Sequence, residues 1–167
     1  IIGEDMDRMF INKVKSFVLS PKAIENQKDM KIVYTPIHGT GITLIPASLK
    51  EIGFTNIIDV PEQNVISGNF PTVISPNPEE PAALDLAIKK AVETGAELVL
   101  ATDPDADRIG AAIRDDEGNF FLLNGNQIFL ILIHYLMSQR KEKDLLKGNE
   151  FIVKTIVTTE LVKKIAD

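Results

Sequence analysis

Three carboxylates and a guanidinium close one apolar run: Leu98-Val99-Leu100-Ala101-Thr102 leads into Asp103-Pro104-Asp105-Ala106-Asp107-Arg108. Side chains two apart in an extended segment point the same way, so this spacing can aim three carboxylates at one point. Anionic oxygens that close repel one another unless a hard cation lies among them. Mg²⁺ takes oxygen ligands in near-octahedral geometry, completed by waters or a phosphate. Arg108 adds a planar fork suited to phosphate oxygens. A divalent cation beside a phosphate-reading arginine is an arrangement for phosphoryl transfer.

Other readings of the run stand beside this one. A solvated acidic turn needs no ligand. A calcium EF-hand fits poorly: counting Asp103 as the first position, the sixth is Arg108 where Gly is required and the twelfth is Arg114 where Glu is required. A haloacid-dehalogenase-like phosphatase also has two aspartates after a strand, the first as nucleophile. There a Thr or Val typically stands two places after the second aspartate, where this chain has Asp107.

The elements that must position the run follow from periodicity and breakers. Apolar residues Met6, Met9, Phe10, Val14, Phe17 and Val18 predict a helix over 5–20, stopped at Ser20-Pro21, with a short one over 22–26. Lys31 to Thr35 reads as a buried strand running into the glycine-rich loop Pro36-Ile37-His38-Gly39-Thr40-Gly41, then a helix over 42–52 with Gly53 as its cap, then a strand over 56–60. This is βαβ grammar and predicts a parallel pair. Residues 61–81 hold five of the nine prolines, a long rigid loop. Pro81 opens a helix ended by Gly95, and Glu97 to Ala101 is the third strand. A β-hairpin over 109–123 turns at Asp115-Asp116-Glu117-Gly118-Asn119, and an apolar buried helix runs over 127–138. After the charged connector 139–149, Phe151 to Val157 predicts a strand and Glu160 to Ala166 a helix capped by Thr158 or Thr159. The expected fold is α/β: a three-layer α/β/α sandwich on a small mixed sheet, three parallel strands plus an antiparallel hairpin strand.

The 167 residues suffice for one α/β domain or one and part of another. With 24 acidic against 18 basic residues, the formal charge of -6 argues against a nucleic-acid partner. The lack of cysteine excludes thiolate metal sites, a cysteine nucleophile and disulfides, and suits a reducing, cytoplasmic setting. The most apolar run, 128–137, is too short to span a bilayer, so no membrane role is expected. The chain begins at Ile1 rather than Met and ends at Asp167 inside a helical pattern, and reads as a piece of a longer protein.

Taken in order, Thr35-Pro36-Ile37-His38-Gly39-Thr40-Gly41, Gly68-Asn69-Phe70-Pro71, Pro76-Asn77-Pro78-Glu79, Thr102 to Arg108 and Leu123-Asn124-Gly125-Asn126-Gln127 resemble the α-D-phosphohexomutases, the phosphoglucomutase/phosphomannomutase family. The resemblance implies four domains in the parent, with residues 1–146 as the second, metal-binding one and 147–167 as the opening strand and helix of the third. It implies that Asp103, Asp105 and Asp107 bind Mg²⁺, with a phosphoserine oxygen from the first domain as a further ligand, and that Arg108 contacts the phosphoserine or the migrating phosphate. It implies interconversion of a hexose 1-phosphate and a hexose 6-phosphate through a bisphosphorylated sugar. The 35–39 and 124–127 stretches lean toward glucose phosphates, with mannose and pentose phosphates as alternatives. Family members often have Gly where this chain has Pro104, and proline suits an extended loop. No Ser-His-Asn-Pro stretch of the catalytic-serine type occurs, so the chain by itself is expected to be inactive.

Several residues keep two readings. His38 and Gly39 could cradle a phosphate through backbone N–H groups, but without a P-loop lysine the loop histidine reads first as a structural hydrogen-bonder. His134 reads as a core or interface residue. The 68–71 and 76–79 stretches read as structural, with Asn77 and Glu79 as possible contacts to a neighbouring domain. Asp115, Asp116 and Glu117 read as a solvated turn rather than a second metal site, and Lys154 and Thr155 as cleft residues only without support. Two further functions stay open: a stand-alone phosphatase using Asp103 as nucleophile, and a non-catalytic interaction domain with a vestigial acidic loop.

Overall fold

A computed structural model describes residues 3–166; Ile1, Ile2 and Asp167 lie outside the described residues. The contacts divide the chain into two compact units, Ile1–Leu123 and Asn124–Asp167.

The first unit is built on a five-stranded sheet in the order β2-β1-β3-β4-β5. Its strands are β1 (Lys31–Thr35), β2 (Asn56–Asp59), β3 (Leu98–Thr102), β4 (Ile109–Arg114) and β5 (Phe120–Leu123). β1 pairs in parallel with β2 and with β3, and β3-β4 and β4-β5 pair antiparallel, so both arms of the hairpin join the sheet rather than one. The helices are α1 (Glu4–Lys15), α2 (Pro21–Asn26), α3 (Leu44–Ile52) and α4 (Pro81–Thr94). From β1 the chain crosses by α3 to β2 on one side, then by α4 back past β1 to β3 on the other. Right-handed crossovers running in opposite directions place α3 and α4 on opposite faces.

Local chemistry explains the boundaries. Pro81 sits at the first turn of α4, where its missing N–H costs nothing, and Gly95 ends the helix in the left-handed region at φ 66°. Ala83, Ala87 and Ala91 are fully buried with Leu84 against Val33, Val99 and Ala112. Small residues on that stripe let the helix lie close on the sheet and pack without voids. On the other face α1 packs on α3, tied by Lys15 Nζ to Glu51 Oε1 at 2.7 Å.

The second unit holds α5 (Gly125–Glu142) and α6 (Leu161–Ala166). α5 starts two residues before the expected Gln127 because Asn124 and Gln127 form a reciprocal capping box. It is not the buried helix its composition suggested. None of its residues is fully buried, and His134, expected in a core or interface, is exposed. The reason is a shortage of partners: among the described residues of this unit the one other helix is the six-residue α6, which packs on it. The strand expected over Phe151 to Val157 does not form either. A strand is completed by a hydrogen-bonded neighbour, and the second unit contains no other strand among the described residues.

Candidate metal centre

The carboxylate run leaves the C-terminal end of β3, beside the loop that leaves the end of β1. β1 leads to β2 on one side and β3 leads to β4 on the other, so the strand order reverses between these neighbours, the topological switch point where open α/β sheets hold ligands. Carboxylate oxygens of Asp103, Asp105 and Asp107 all lie within 4.8 Å of one another. They converge by a turn and not by the alternation of an extended segment. Ala106 N–H donates to the Asp103 carbonyl (3.0 Å) and Ala106 itself lies in the left-handed region at φ 60°. That reversal aims the next two N–H groups, of Asp107 and Arg108, at Asp103 Oδ1, each at 3.1 Å. Arg108 Nε donates to Asp103 Oδ2 at 2.8 Å.

The three acids therefore differ in kind. Asp103 is fully buried and anchored at both oxygens, while Asp105 and Asp107 stand exposed. Burial pushes the Asp103 carboxyl upward, but the backbone and side-chain bonds from Arg108 outweigh it and hold it below the usual carboxylate range. The hydrogen bond shared with Asp103, and then the charges of Asp105 and Asp103, push Asp107 up. Hard oxygen donors, one fixed and two free to adjust, suit an oxygen-loving divalent cation that keeps several waters. Arg108 has Nη1 and Nη2 without a partner among the described residues. They form the free end of a fork beside the cluster.

The β1 loop is fastened to the proline-rich segment by a closed polar network. Thr35 Oγ1 donates to Gln63 Oε1 (2.7 Å), and Gln63 Nε2 donates to the Ala83 carbonyl (3.1 Å) and to Thr72 Oγ1 (3.3 Å). Thr72 Oγ1 also pairs with His38 Nε2 (2.8 Å), and His38 Nδ1–H donates to the Val65 carbonyl (2.8 Å). The carbonyl can only accept, which places a proton on Nδ1. Gln63 and His38 are buried, and a fully satisfied network of this kind is rigid.

The backbone N–H groups of the same loop are also spent. Ile37 donates to Thr35 Oγ1, His38 to Gln63, Gly39 to Pro36 and Thr40 to Pro104. No N–H from 37 to 40 is left to cradle a phosphate, so the loop geometry gives His38 and Gly39 a supporting place beside the acids. Sequence reasoning misses Gln63 and Thr72. A lone Gln and a lone Thr in a proline-rich stretch carry no pattern, and their partners are distant along the chain.

The 76–79 stretch is structural as expected and touches the sheet beside the acids. An added Cβ at Gly110, the register partner of Ala101, would come within 2.1 Å of the Pro78 carbonyl oxygen. Asn77 Oδ1 accepts from Glu79 N (3.1 Å), turning the chain into α4. At the hairpin tip, Asp115 Oδ1 accepts from Glu117 N (3.0 Å) and Asn119 N (2.7 Å), while Asp116 and Glu117 are exposed. In the second unit Lys154 binds Glu160 and the Thr158 carbonyl, and Thr155 pairs with Thr158, so both serve a local turn. Among the described residues no helix is long and apolar enough to cross a membrane.

The chain is similar to known proteins in sequence and in fold. The chain is 41% identical over 140 residues to a phosphoglucomutase of Staphylococcus haemolyticus, covering 84% of this chain and 25% of that protein. It is 36% identical over 165 residues to a phosphoglucomutase of Staphylococcus saprophyticus, covering 99% of this chain and 29% of that protein. It thus spans about a quarter of the length of these relatives. Two solved structures share the fold. One is a protein of Thermus thermophilus, with TM-score 0.61 and 22% identity over 81% of this chain and 29% of that one. The other is a phosphoglucomutase/phosphomannomutase family protein of Burkholderia thailandensis, with TM-score 0.55 and 23% identity over 76% of this chain and 26% of that one. Residues 8–118 match the family described as phosphoglucomutase/phosphomannomutase, alpha/beta/alpha domain II. With more than half its length inside that one profile, the chain belongs to the phosphoglucomutase/phosphomannomutase family as its domain II.

Proposed function

We propose that this chain is the cation-holding domain of a cytoplasmic hexose-phosphate mutase, and that Asp103, Asp105 and Asp107 hold Mg²⁺. One observation carries the reading: three carboxylates converge at the sheet's switch point beside an arginine with a free fork. Domain limits of 1–146 and 147–167 belong to the same proposal.

In the parent enzyme a phosphoserine outside this chain gives its phosphoryl group to a hydroxyl of a hexose monophosphate. The bond between phosphorus and the serine oxygen breaks, a new P–O bond forms to the sugar oxygen, and the sugar hydroxyl proton passes through a base to the serine oxygen. The bisphosphorylated sugar then returns its other phosphoryl group to the serine. Glucose phosphates are the favoured substrates, from the named activity of the relatives. When bound, Mg²⁺ neutralises charge on the transferring group. Asp103 anchors the cation loop from the protein side, Asp105 and Asp107 supply adjustable oxygens, and Arg108 orients a phosphate through Nη1 and Nη2.

The same geometry speaks against Asp103 as a phosphatase nucleophile. Its side chain is 1% exposed, Oδ1 accepts two hydrogen bonds and Oδ2 one, which leaves Oδ2 a lone pair for a cation but not the exposed, unshared oxygen that in-line attack requires. The test is the melting temperature of the chain with and without millimolar Mg²⁺, for wild type and Asp105→Asn. A cation that binds only the native state raises it. A rise abolished by Asp105→Asn supports the reading, and a rise that survives the substitution overturns it. A mutase assay on the chain alone should detect no turnover.

A further inference from the structure

The two loops at the switch point meet at one residue, and the contact is made by groups that the cation chemistry does not use. Pro104, between the first two acids, has no N–H to fasten it. Its carbonyl instead accepts twice from Thr40, from the backbone N–H at 2.8 Å and from Oγ1 at 3.0 Å. Beside it, Gly39 lies so close that an added Cβ would stand 2.3 Å from Pro104 Cα and 2.6 Å from its oxygen. Gly39 has φ −101° and ψ −174°, a backbone any residue adopts. Glycine is needed there for space alone. The contacting atom is backbone and not the end of a flexible side chain, so a methyl group would have to displace the cation loop itself.

We infer that Gly39 and Thr40 are positioning residues for the cation loop, gripping Pro104 so that the carboxylates on either side of it keep their convergence. The inference rests on the proposed cation reading and adds the device that presets it. The support continues behind the contact: the His38 N–H donates to the Gln63 carbonyl, and the His38 ring is held by Thr72 and Val65. Asp103 is also held on its far side, where the N–H groups of Asp107 and Arg108 reach Oδ1 only if the intervening turn keeps its shape. Those two amides report the loop's geometry whether or not a cation is present.

The experiment compares wild type, Gly39→Ala, Thr40→Val and Thr40→Ser in the full 167-residue chain. Two readouts are taken: amide exchange at Asp107 and Arg108 without cation, and the Mn²⁺ dissociation constant from the free-ion paramagnetic signal. Gly39→Ala is expected to accelerate exchange at both amides and to weaken Mn²⁺ by about tenfold or more, the range typical of residues that orient metal ligands. Thr40→Val, which keeps its backbone N–H, should weaken it by about threefold, and Thr40→Ser should return both readouts to within about twofold of wild type. Exchange at Val33 and Val99 should not change, which separates positioning from loss of the fold. Should Gly39→Ala fail to fold, the Thr40→Val and Thr40→Ser pair decides alone. Unchanged exchange at Asp107 and Arg108 in the variants, or a Thr40→Ser chain no better than Thr40→Val, overturns the inference. A wild type that takes up no Mn²⁺ overturns the cation reading instead, while the exchange readout still decides whether Gly39 and Thr40 hold the loop.

Discussion

The chain carries two triplets of acids in turns, and only one is built as a site. Asp103, Asp105 and Asp107 alternate, and the first is buried with four atoms of its surroundings bonded to it through its carbonyl and carboxylate. Asp115, Asp116 and Glu117 are contiguous at an exposed hairpin tip, where Asp115 spends its Oδ1 on closing the turn and the next two face solvent. Negative charge is equal in the two places. What differs is that one acid in the first turn is desolvated and held, so its neighbours are brought to a fixed point, whereas the second turn can relax its repulsion into water.

That contrast orders the expected effects of mutation. Asp103→Asn should do the most. An amide has one donor end, which must face either two backbone N–H groups or the guanidinium, so the cation-free chain should lose about 2 kcal/mol in urea unfolding. Its Mg²⁺-dependent gain should also vanish. Asp105→Asn should leave the cation-free chain within about 0.5 kcal/mol of wild type. It should remove the cation-dependent gain, about 2.7 kcal/mol at a concentration one hundred times Kd. Asp115→Ala should cost about 1 kcal/mol by freeing two backbone donors, with the cation response intact. Asp116→Asn should change neither quantity beyond about 0.5 kcal/mol. A cation response that depended on Asp116 and not on Asp105 would reverse the comparison.

Acidity separates the partners within the first turn. The folded pKa of Asp103 is lowered, so its contribution is complete above the ordinary carboxylate range and is lost as pH falls below it. Asp107 is raised, so its effect has the opposite sign: the cation-free fold is favoured below the ordinary range and loses that advantage as pH rises through the folded value. Cation affinity should climb over that second interval, as Asp107 ionises. Urea unfolding from about pH 3 to 6, with and without Mg²⁺, checks both signs: the cation-dependent gain should grow with pH over the interval where the cation-free chain loses the Asp107 contribution.

Features with a local cause are legible in the sequence. Pro81 and Gly95 bracket α4, and β1 and the hairpin strands follow from their apolar runs and turn residues. The Asn124–Gln127 capping box goes unread when the apolar pattern alone is followed, which starts the helix at Gln127. Features with a distant cause are not legible. Phe151 to Val157 has strand composition but no ladder partner in its unit. In the site, spacing alone marks out the acids. The Gln63–Thr72–His38 network and the grip on Pro104 leave no such mark, because each depends on which distant residue the fold brings alongside; the turn at Ala106 is local, but alanine does not announce a left-handed residue.

The contact between Thr40 and Pro104 spans 64 residues of chain. A site closed over that separation has high contact order, and chains of that kind fold slowly because loop closure comes before the reward of contact. During synthesis at about 5–20 residues per second, the glycine-rich loop would wait roughly 3–13 s for its partner to be made. Within that interval α3, β2 and α4 are made and one edge of β1 can pair with β2, while the edge that takes β3 stays open until residues 98–102 arrive. The arrangement that makes the centre rigid in the finished protein leaves one edge of its first strand open to mispairing on the ribosome.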